Sequence, residues 1–432
     1  MRKLASIIVC TLVAIWLFSD TVRHYFPNRS NSNVLRFSHY GTYQDFETWR
    51  ELIRAFELEN PGITIKQEYV VGWYGLYDRK LRQQFLAHCA PHVALVQAIS
   101  FQQLANHFAT LPQSPADVST LLDPSAMDPI ALQMYRLDGA QRAMPVTGGN
   151  LLIYYNKNCF ERASKHRGQI VPLPSEDWTM GEFESTARML TCDFDNDGQL
   201  DQFGFWQPRW VYYLPFLWSF GADVLVDSRQ NCLLTGDAAT AALEFYRRMR
   251  VGPTRYAPHP DEMSQLIQDT GFLTGRTAMC INGPWFIPTL NNTNVRDQYG
   301  VANIPAWHGH RATRVTWDGI AASRHLSPAE FANAIKFIAF VNSPAGQRIL
   351  TRSGRALPAR SSELEWFVRT HPDEAALRFV KALAYSRPEP QSNRFKEFDQ
   401  TINRHLAAMV DAHNPITTAE FLARLESDHS QK

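Results

Sequence analysis

The sequence predicts an α/β fold of two lobes that are joined by crossover segments and enclose a ligand cleft. One observation is a β-α-β unit between residues 34 and 71. Another is a pair of glycine-bearing segments, 144–156 and 317–323, each of which reads as a crossover between lobes. The third is the length of 432 residues, enough for roughly two or three domains. A first lobe that is discontinuous in sequence is the simplest account of all three.

The β-α-β unit follows from the spacing of apolar residues. Val34 to Ser38 is a short predicted strand, and apolar residues from Phe46 to Glu59 recur at helical spacing. Asn60-Pro61-Gly62 would stop that helix, and Ile63 to Val71 alternates as a second strand. Sheets built from such units bind ligands at the carboxyl ends of their strands. The loops after the strands are therefore candidate ligand-contacting segments.

Further elements follow along the chain. A predicted helix begins at Trp178 behind an Asp177 cap and ends at Leu190, and the tail from Pro372 to His429 has a largely helical pattern. Other predicted elements are Tyr77–His88, His92–Val96, Ala238–Met249, Asp261–Phe272 and Pro328–Asn342. We assign residues 34–147 with 317–365 to the first lobe, and residues 148–316 with 366–432 to the second.

The N-terminus reads as a targeting segment. Two basic residues precede an apolar run from Leu4 to Phe18, which at helical rise is roughly 22 Å long and short for a membrane span. No small-residue cleavage site follows, and Cys10 lies inside the run rather than at its end, unlike a lipid-attachment site. We expect residues 1–18 to be a signal peptide or a membrane anchor and residues 19–33 to be a tether. The protein would be exported, either periplasmic or tethered to the outer face of the inner membrane.

Composition excludes some classes of function. The chain carries 43 basic and 42 acidic residues, so no net field attracts nucleic acid or an anionic membrane. Its six cysteines include no CxxC pair, which argues against a zinc or thioredoxin-like centre. Aromatic residues are numerous, with 11 Trp, 15 Tyr and 26 Phe, and this fits stacking onto rings. We predict a monomer with no nucleic-acid partner.

Candidate ligand-binding residues lie at predicted strand ends and crossovers. The run from Gly271 to Trp285 ends in a Gly-Pro corner that would hold the Trp285 indole at a strand end. An indole offers a flat apolar face and one N–H donor, which suits the C–H face of a sugar ring. For each aromatic candidate the alternative is a place in the core. The candidates are Tyr40, Trp73, Tyr74, Asn150, Trp206, Trp285, Trp317 and Asp318, with Arg355 as a further polar contact.

An acidic loop follows Cys192. Its carboxylates Asp193, Asp195, Asp197 and Asp201 occupy positions 1, 3, 5 and 9 of a calcium-loop pattern. The glutamate expected at position 12 is replaced by Gly204. Two interpretations stay open, a structural calcium ion and a turn without metal. No other cofactor is indicated.

No catalytic constellation stands out. The neighbouring carboxylates Glu182/Glu184 and Glu57/Glu59 lie on helix patterns and read as solvated faces. The sequence has no Gly-x-Ser-x-Gly, HExxH or GxxxxGK[ST] motif. We therefore predict a binding protein rather than an enzyme.

Several segments, in order, resemble landmarks of the family 1 extracellular solute-binding proteins of bacterial ABC sugar importers, the maltose-binding proteins among them. They are FETWRELIRAFELENPGITIKQEY (46–69), YNKNCFERA (155–163), DWTMGEFESTARMLT (177–191), GFLTGRTAMCINGPW (271–285) and FANAIKFIAFVNSPAGQRIL (331–350). The resemblance implies a two-lobe type II periplasmic-binding-protein fold with hinge crossovers. Two departures are His92, where the family usually has an acidic residue, and the tail past Pro358, which carries no landmark.

The resemblance also implies a function. The protein would capture a carbohydrate, in our expectation an oligosaccharide, and deliver it to an ABC permease. Two alternatives stay open, a membrane-anchored carbohydrate sensor or scaffold and an exported glycosidase. Relatives also bind glycerophosphodiesters, polyamines or iron, and the small number of basic residues at predicted strand ends argues against phosphate.

Overall fold

The structure is a computed structural model that describes residues 32–72, 74–112, 122–207, 209–229, 232–259, 262, 269–371 and 373–430. Trp73, the predicted signal peptide or anchor and all but the end of the predicted tether lie outside these ranges. Within them, no helix combines the length and apolar character needed to cross a membrane.

The described strands and helices alternate along most of the chain. The strands are β1 (Val34–Gly41), β2 (Thr64–Val71), β3 (Val93–Gln97), β4 (Arg136–Leu137), β5 (Ala140–Gln141), β6 (Met144–Asn150), β7 (Leu152–Asn156), β8 (Phe203–Trp206), β9 (Leu225–Val226), β10 (Cys232–Leu233), β11 (Thr277–Asn282), β12 (Tyr299–Ala302), β13 (Thr313–Ala322), β14 (Leu357–Pro358) and β15 (Ser386–Pro388). The helices are α1 (Tyr43–Glu59), α2 (Tyr74–Leu86), α3 (Ala98–Leu104), α4 (Pro129–Gln133), α5 (Lys157–Arg167), α6 (Met180–Leu190), α7 (Leu214–Ser219), α8 (Asp237–Arg250), α9 (Thr270–Leu273), α10 (Ile287–Asn291), α11 (Pro328–Asn342), α12 (Pro344–Thr351), α13 (Leu364–Thr370), α14 (Glu374–Ala382), α15 (Phe395–Met409) and α16 (Thr418–Ser430).

Two sheets organise the two lobes. The first runs in the order β14-β6-β13-β3-β1-β2, with β15 paired to β13, and the second in the order β12-β7-β11-β8. In the first sheet β1 pairs in parallel with β2 and β3, as the β-α-β pattern predicts. The carboxyl end of β1 therefore lies beside that of β3, where Tyr40 and Gln97 are placed.

Helix α1 begins at a reciprocal cap. The Thr42 hydroxyl accepts the Asp45 N–H, and the Asp45 carboxylate accepts the Thr42 N–H at 2.6 Å. Such a capping box satisfies helix-end donors that would otherwise lack partners. The apolar side chains of α1 are buried, and their burial stabilises the packing of the helix on the sheet. Helix α6 starts in the same way at Thr179, not behind Asp177 as predicted, because the Thr179–Glu182 pair completes the box.

The chain changes sheets at two crossovers. Strand β6 belongs to the first sheet and β7 to the second, with only Leu151 between them. The return lies between Ala302, where β12 ends, and Thr313, where β13 begins. The predicted divisions at 147/148 and 316/317 thus fall inside β6 and β13, a few residues from the points where the chain changes sheets.

The C-terminal tail contacts both lobes. Strand β15 pairs in parallel with β13 of the first sheet, and Lys396 on α15 forms an ion pair with Asp78 of α2 at 2.8 Å. On the other side, the Asn403 carboxamide oxygen accepts the Trp210 N–H at 2.9 Å. Part of the tail assigned to the second lobe therefore packs on the first, since β15 completes an edge that the sequence pattern did not reveal.

Candidate functional site

A cleft lies between the lobes at the carboxyl ends of β1 and β3. The first lobe contributes β1, the first turns of α1 and the loop after α12, and the second contributes the corner after β11 and a loop after β8. Strands β6 and β13 form the floor between them. The polar and aromatic lining side chains are Tyr40, Gln44, Asp45, Thr48, Trp49, Gln97, Thr147, Arg209, Tyr212, Trp285, Arg314, Thr316, Asp318, Ser353 and Arg355.

Tyr40 and Asp318 form one hydrogen-bonded pair in this lining. The Tyr40 hydroxyl donates to Asp318 Oδ1 at 2.7 Å. Burial raises the pKa of Asp318 from 3.8 to about 6, and the Tyr40 hydrogen bond and the nearby Arg355 offset this only in part. Burial, followed by the Asp318 charge, raises the pKa of Tyr40 well above its usual value. Tyr40 therefore remains a donor, and Asp318 is an acceptor whose charge responds to mild acid.

Arg355 and Asp45 form a second pair. Their side chains make an ion pair at the start of α1, and Arg355 Nη1 also donates to the Thr42 hydroxyl at 3.4 Å. Gly41 has a φ of +144°, and a Cβ there would lie 2.4 Å from Asp45 Oδ2. The glycine thus lets the β1 end turn tightly beside the carboxylate.

Trp285 stands on the opposite wall at the predicted corner. The Tyr154 hydroxyl donates to the Gly283 carbonyl at 2.8 Å, and the Gly283 N–H donates to Asn282 Oδ1 at 2.9 Å. The indole covers Gly283 so closely that a Cβ there would lie 2.4 Å from the ring. A Cβ at Gly149 would lie 2.5 Å from Pro284, so the crossover strand supports the same corner. The indole is partly buried and lines the cleft.

The structure brings together only some of the predicted residues. Tyr40, Trp285, Asp318 and Arg355 line one cleft. Trp73 lies outside the described residues, and Tyr74 begins α2 with no side-chain position described.

Three predicted residues are buried away from the cleft. Asn150 is fully buried and donates to the Phe379 carbonyl at 3.0 Å and to the Ser386 hydroxyl at 3.1 Å, so it joins the crossover to the tail. Trp317 is 1% exposed because side chains alternate along β13, and its neighbours Thr316 and Asp318 take the cleft side. Trp206, 5% exposed, packs in the second-lobe core. These three residues therefore lie in the core, which was the alternative to a ligand contact for Trp206 and Trp317.

Several lining residues were not predicted. Gln44, Asp45 and Thr48 could have been predicted, because they lie at the start of the helix that follows β1. In such sheets ligands bind beside the carboxyl ends of the strands, where these helices begin. Arg209 and Tyr212 lie at the two ends of a short 3₁₀ turn, and Arg314 precedes the predicted crossover, so no sequence signal marked them. Three arginines, Arg209, Arg314 and Arg355, line the cleft, and only Arg355 was among the predicted contacts.

The acidic loop folds into a tight turn on the second lobe. Carboxylate oxygens of Asp193, Asp195 and Asp197 all lie within 4.8 Å of one another, while Asp201 accepts the Phe194 N–H at 2.7 Å. Gly204, at position 12, has no room for a side chain, because a Cβ would lie 1.9 Å from the Ala187 carbonyl oxygen. Three carboxylates fit a hard cation, yet the loop lacks the bidentate ligand of the full pattern. The calcium assignment stays a prediction. In the described part of the chain this is the only cluster of three or more such metal-ligating side chains.

Two lobes around a polar cleft with an aromatic wall define a type II periplasmic-binding-protein fold. The ABC substrate-binding protein of Listeria monocytogenes, solved in complex with cycloalternan, has this fold with a TM-score of 0.77 and 21% identity, over 92% of this chain and 98% of that chain. The family model for bacterial extracellular solute-binding proteins matches residues 40–348, more than half of the chain. The chain belongs to that family.

Two curated relatives agree with this assignment. A binding protein of Brucella abortus is 26% identical over 336 residues, which is 73% of each chain. The maltooligosaccharide ABC transporter solute-binding lipoprotein of Streptococcus pneumoniae is 23% identical over 257 residues, covering 59% of this chain and 57% of the relative.

Proposed function

We propose that this chain is the solute-binding component of an ABC-type importer that captures a carbohydrate, in particular an oligosaccharide, between its lobes. The observation that carries the proposal is the cleft, with the Trp285 indole on one wall and the Tyr40–Asp318 pair on the other. A sugar ring would pack its C–H face on the indole while its hydroxyls bond the polar groups opposite. The carbohydrate named for the Streptococcus relative and that bound to the Listeria protein support the same ligand class.

Capture would work by population shift. A ligand that contacts both walls binds the closed arrangement of the lobes better than the open one, and so favours closure. The closed form would then be presented to a membrane permease. The protein would act outside the inner membrane, either free in the periplasm or held there by residues 1–18.

A thermal-shift screen of the purified full-length chain tests the proposal. The panel contains mono- and oligosaccharides, polyols, glycerophosphates and polyamines. A ligand that binds only the folded state stabilises it by about 2.7 kcal/mol at a hundredfold excess over its dissociation constant. A melting-temperature rise with a neutral oligosaccharide supports the proposal. A response confined to glycerophosphates or polyamines contradicts the carbohydrate assignment and leaves the family assignment in place.

The glycosidase alternative has its own test. We expect no hydrolysis of a chromogenic glycoside panel, because the cleft carboxylates serve other contacts. Asp45 caps α1 and pairs with Arg355, and Asp318 accepts the Tyr40 hydroxyl. Hydrolysis that is abolished by Asp318→Asn would contradict the binding assignment.

A further inference from the structure

Arg314 in the cleft floor is paired with a buried acid from the C-terminal tail. The pairing of β15 with β13 places Arg314 opposite Arg387, and Glu389 follows directly after β15. Arg314 Nε donates to Glu389 Oε1, and the two residues are only 7% and 2% exposed. The tail therefore supplies the negative charge that permits a guanidinium at this buried position.

The charge of Arg209 acts on a second tail acid, Asp399. Asp399 on α15 is 6% exposed; burial raises its pKa, while the positive charge of Arg209 lowers it. Asn403 donates to Asp399 Oδ1 at 3.1 Å and accepts the Trp210 N–H at 2.9 Å, which ties the Arg209 loop to α15. The charges of Glu389 and Arg314 also act on Asp399, so the two tail acids and the two cleft arginines form one group of interacting charges.

The charge balance of the site follows from these pairs. Three arginines line the cleft, and Arg355 is paired with Asp45. With Asp318 in the lining and the two tail acids behind it, the site has no excess positive charge. Guanidinium groups compensated in this way can still donate hydrogen bonds to uncharged oxygen atoms, but an added anion meets no net attraction.

We propose that Glu389 and Asp399 are specificity-determining residues that exclude anionic ligands and set the cleft for an uncharged polyhydroxylated ligand. The inference rests on the proposed function, because it specifies the ligand class of the same cleft. Neither acid contacts the ligand directly. Glu389 acts through Arg314, which it pairs with and positions, and Asp399 acts through its charge on Arg209.

The test compares Glu389→Gln and Asp399→Asn with the unchanged chain. Each change removes one negative charge behind an arginine and keeps the side-chain size. Dissociation constants are measured for maltose and maltotriose as neutral probes and for maltose 1-phosphate as the anionic probe. Inorganic phosphate is titrated separately in a melting experiment. We expect the ratio of anionic to neutral affinity to rise about tenfold in each variant, roughly the effect of one pKa unit of charge interaction. Phosphate should raise the melting temperature of the variants more than that of the unchanged chain.

A matched control is Glu397→Gln. It removes an acid from α15, the helix that carries Asp399, at a side chain that is 56% exposed. It should leave the affinity ratio unchanged. The double variant Arg314→Gln/Glu389→Gln removes both charges and should lose the anion response, which separates charge compensation from general loosening of the fold.

An unchanged ratio in both folded single variants, or a preference of the unchanged chain for phosphate-bearing ligands, would overturn the inference. The absence of any carbohydrate binding by the unchanged chain would instead count against the proposed function, while the phosphate titration still tests charge compensation.

Discussion

At the residue scale, Trp285 and Asp318 have different chemical tasks on opposite sides of the cleft. The face of the indole is apolar, so the part of a ligand that packs on it needs no hydrogen-bonding groups. The Asp318 carboxylate offers acceptor lone pairs, one of which is used by Tyr40. A ring with an apolar face and a polar rim satisfies both, which is why the pair carries the carbohydrate assignment.

Replacing Trp285 by alanine tests the stacking role. We expect the affinity for the best carbohydrate in the screen to fall by about 2 kcal/mol, roughly thirtyfold, because aromatic anchors dominate such contacts. The melting temperature should change little, since the indole is only partly buried. The matched control is Trp366→Ala, at a partly buried tryptophan beside Arg348 and outside the cleft lining. Equal losses of affinity in the two variants would contradict a specific role for Trp285.

Asp318 makes a pH-dependent prediction. Ligand hydroxyls that donate to its carboxylate favour the charged form, so affinity should fall as the pH drops below about 6, by up to about tenfold per pH unit. Calorimetric titrations from about pH 5 to about pH 7.5 bracket the Asp318 pKa and measure how the affinity changes with pH. Asp318→Asn should bind more weakly at neutral pH and lose the slope. A slope that survives this substitution would assign the titration to another group.

The same substitution has an opposite effect on stability. The folded pKa of Asp318, about 6, lies above the ordinary value of 3.8, so its stability contribution is present below pH 3.8 and lost as the pH rises through 6. At pH above about 7 we expect Asp318→Asn to stabilise the ligand-free protein by up to about 3 kcal/mol. Denaturant unfolding measures this difference, and a destabilised variant at neutral pH would contradict it.

At the scale of elements, the corner after β11 holds the indole in place. Gly283→Ala would put a Cβ 2.4 Å from the Trp285 ring, so the ring must move. We expect a loss of carbohydrate affinity comparable to that of Trp285→Ala, measured by titration. Gly181→Ala on the exposed start of α6 is the control, because its Cβ meets only ordinary contact and should stabilise the helix by about 0.4–1 kcal/mol. Unchanged affinity in Gly283→Ala would show that the corner does not orient the ligand.

Strand β1 buries a histidine whose titration should set the acid limit of the first lobe. Burial is the main cause that lowers the pKa of His39 from 6.5 to about 4. As the pH falls, the histidine is protonated in the unfolded chain before it is protonated in the folded one. About 3 kcal/mol of stability that is present above pH 6.5 is therefore lost as the pH falls to 4. His39→Phe should flatten the pH dependence of the unfolding free energy over this range. His166→Phe, at an exposed histidine, should leave it unchanged, and equal slopes in the two variants would contradict the assignment.

Several strands and helices of both lobes could be predicted because their sequence signals are local. Periodic apolar residues and the Asn60-Pro61-Gly62 stop give α1 and the start of β2, and family landmarks give α6 and α11. The β15 edge could not be predicted, since a three-residue strand carries no periodicity and the residues of β13 that it pairs with lie 73 positions earlier in the chain. The role of Glu389 depends on that pairing and was hidden for the same reason.

At the scale of the whole molecule, the candidate site could be predicted where a suitable residue type lies at a predicted strand end or crossover. Trp285, Tyr40 and Asp318 meet this condition. Trp317 also does, but strand alternation turns it into the core while its neighbours face the cleft. Arg314 in the cleft pairs with Glu389 from a tail that contacts both lobes, and this arrangement is visible only once the fold is assembled.

Small-angle X-ray scattering of the full-length chain, with and without a saturating neutral oligosaccharide from the screen, tests capture between the lobes most directly. Closure around the ligand should reduce the radius of gyration, and Trp285→Ala at the same ligand concentration should reduce it less. An unchanged radius of gyration in a chain shown by calorimetry to be saturated would contradict capture by closure of the two lobes.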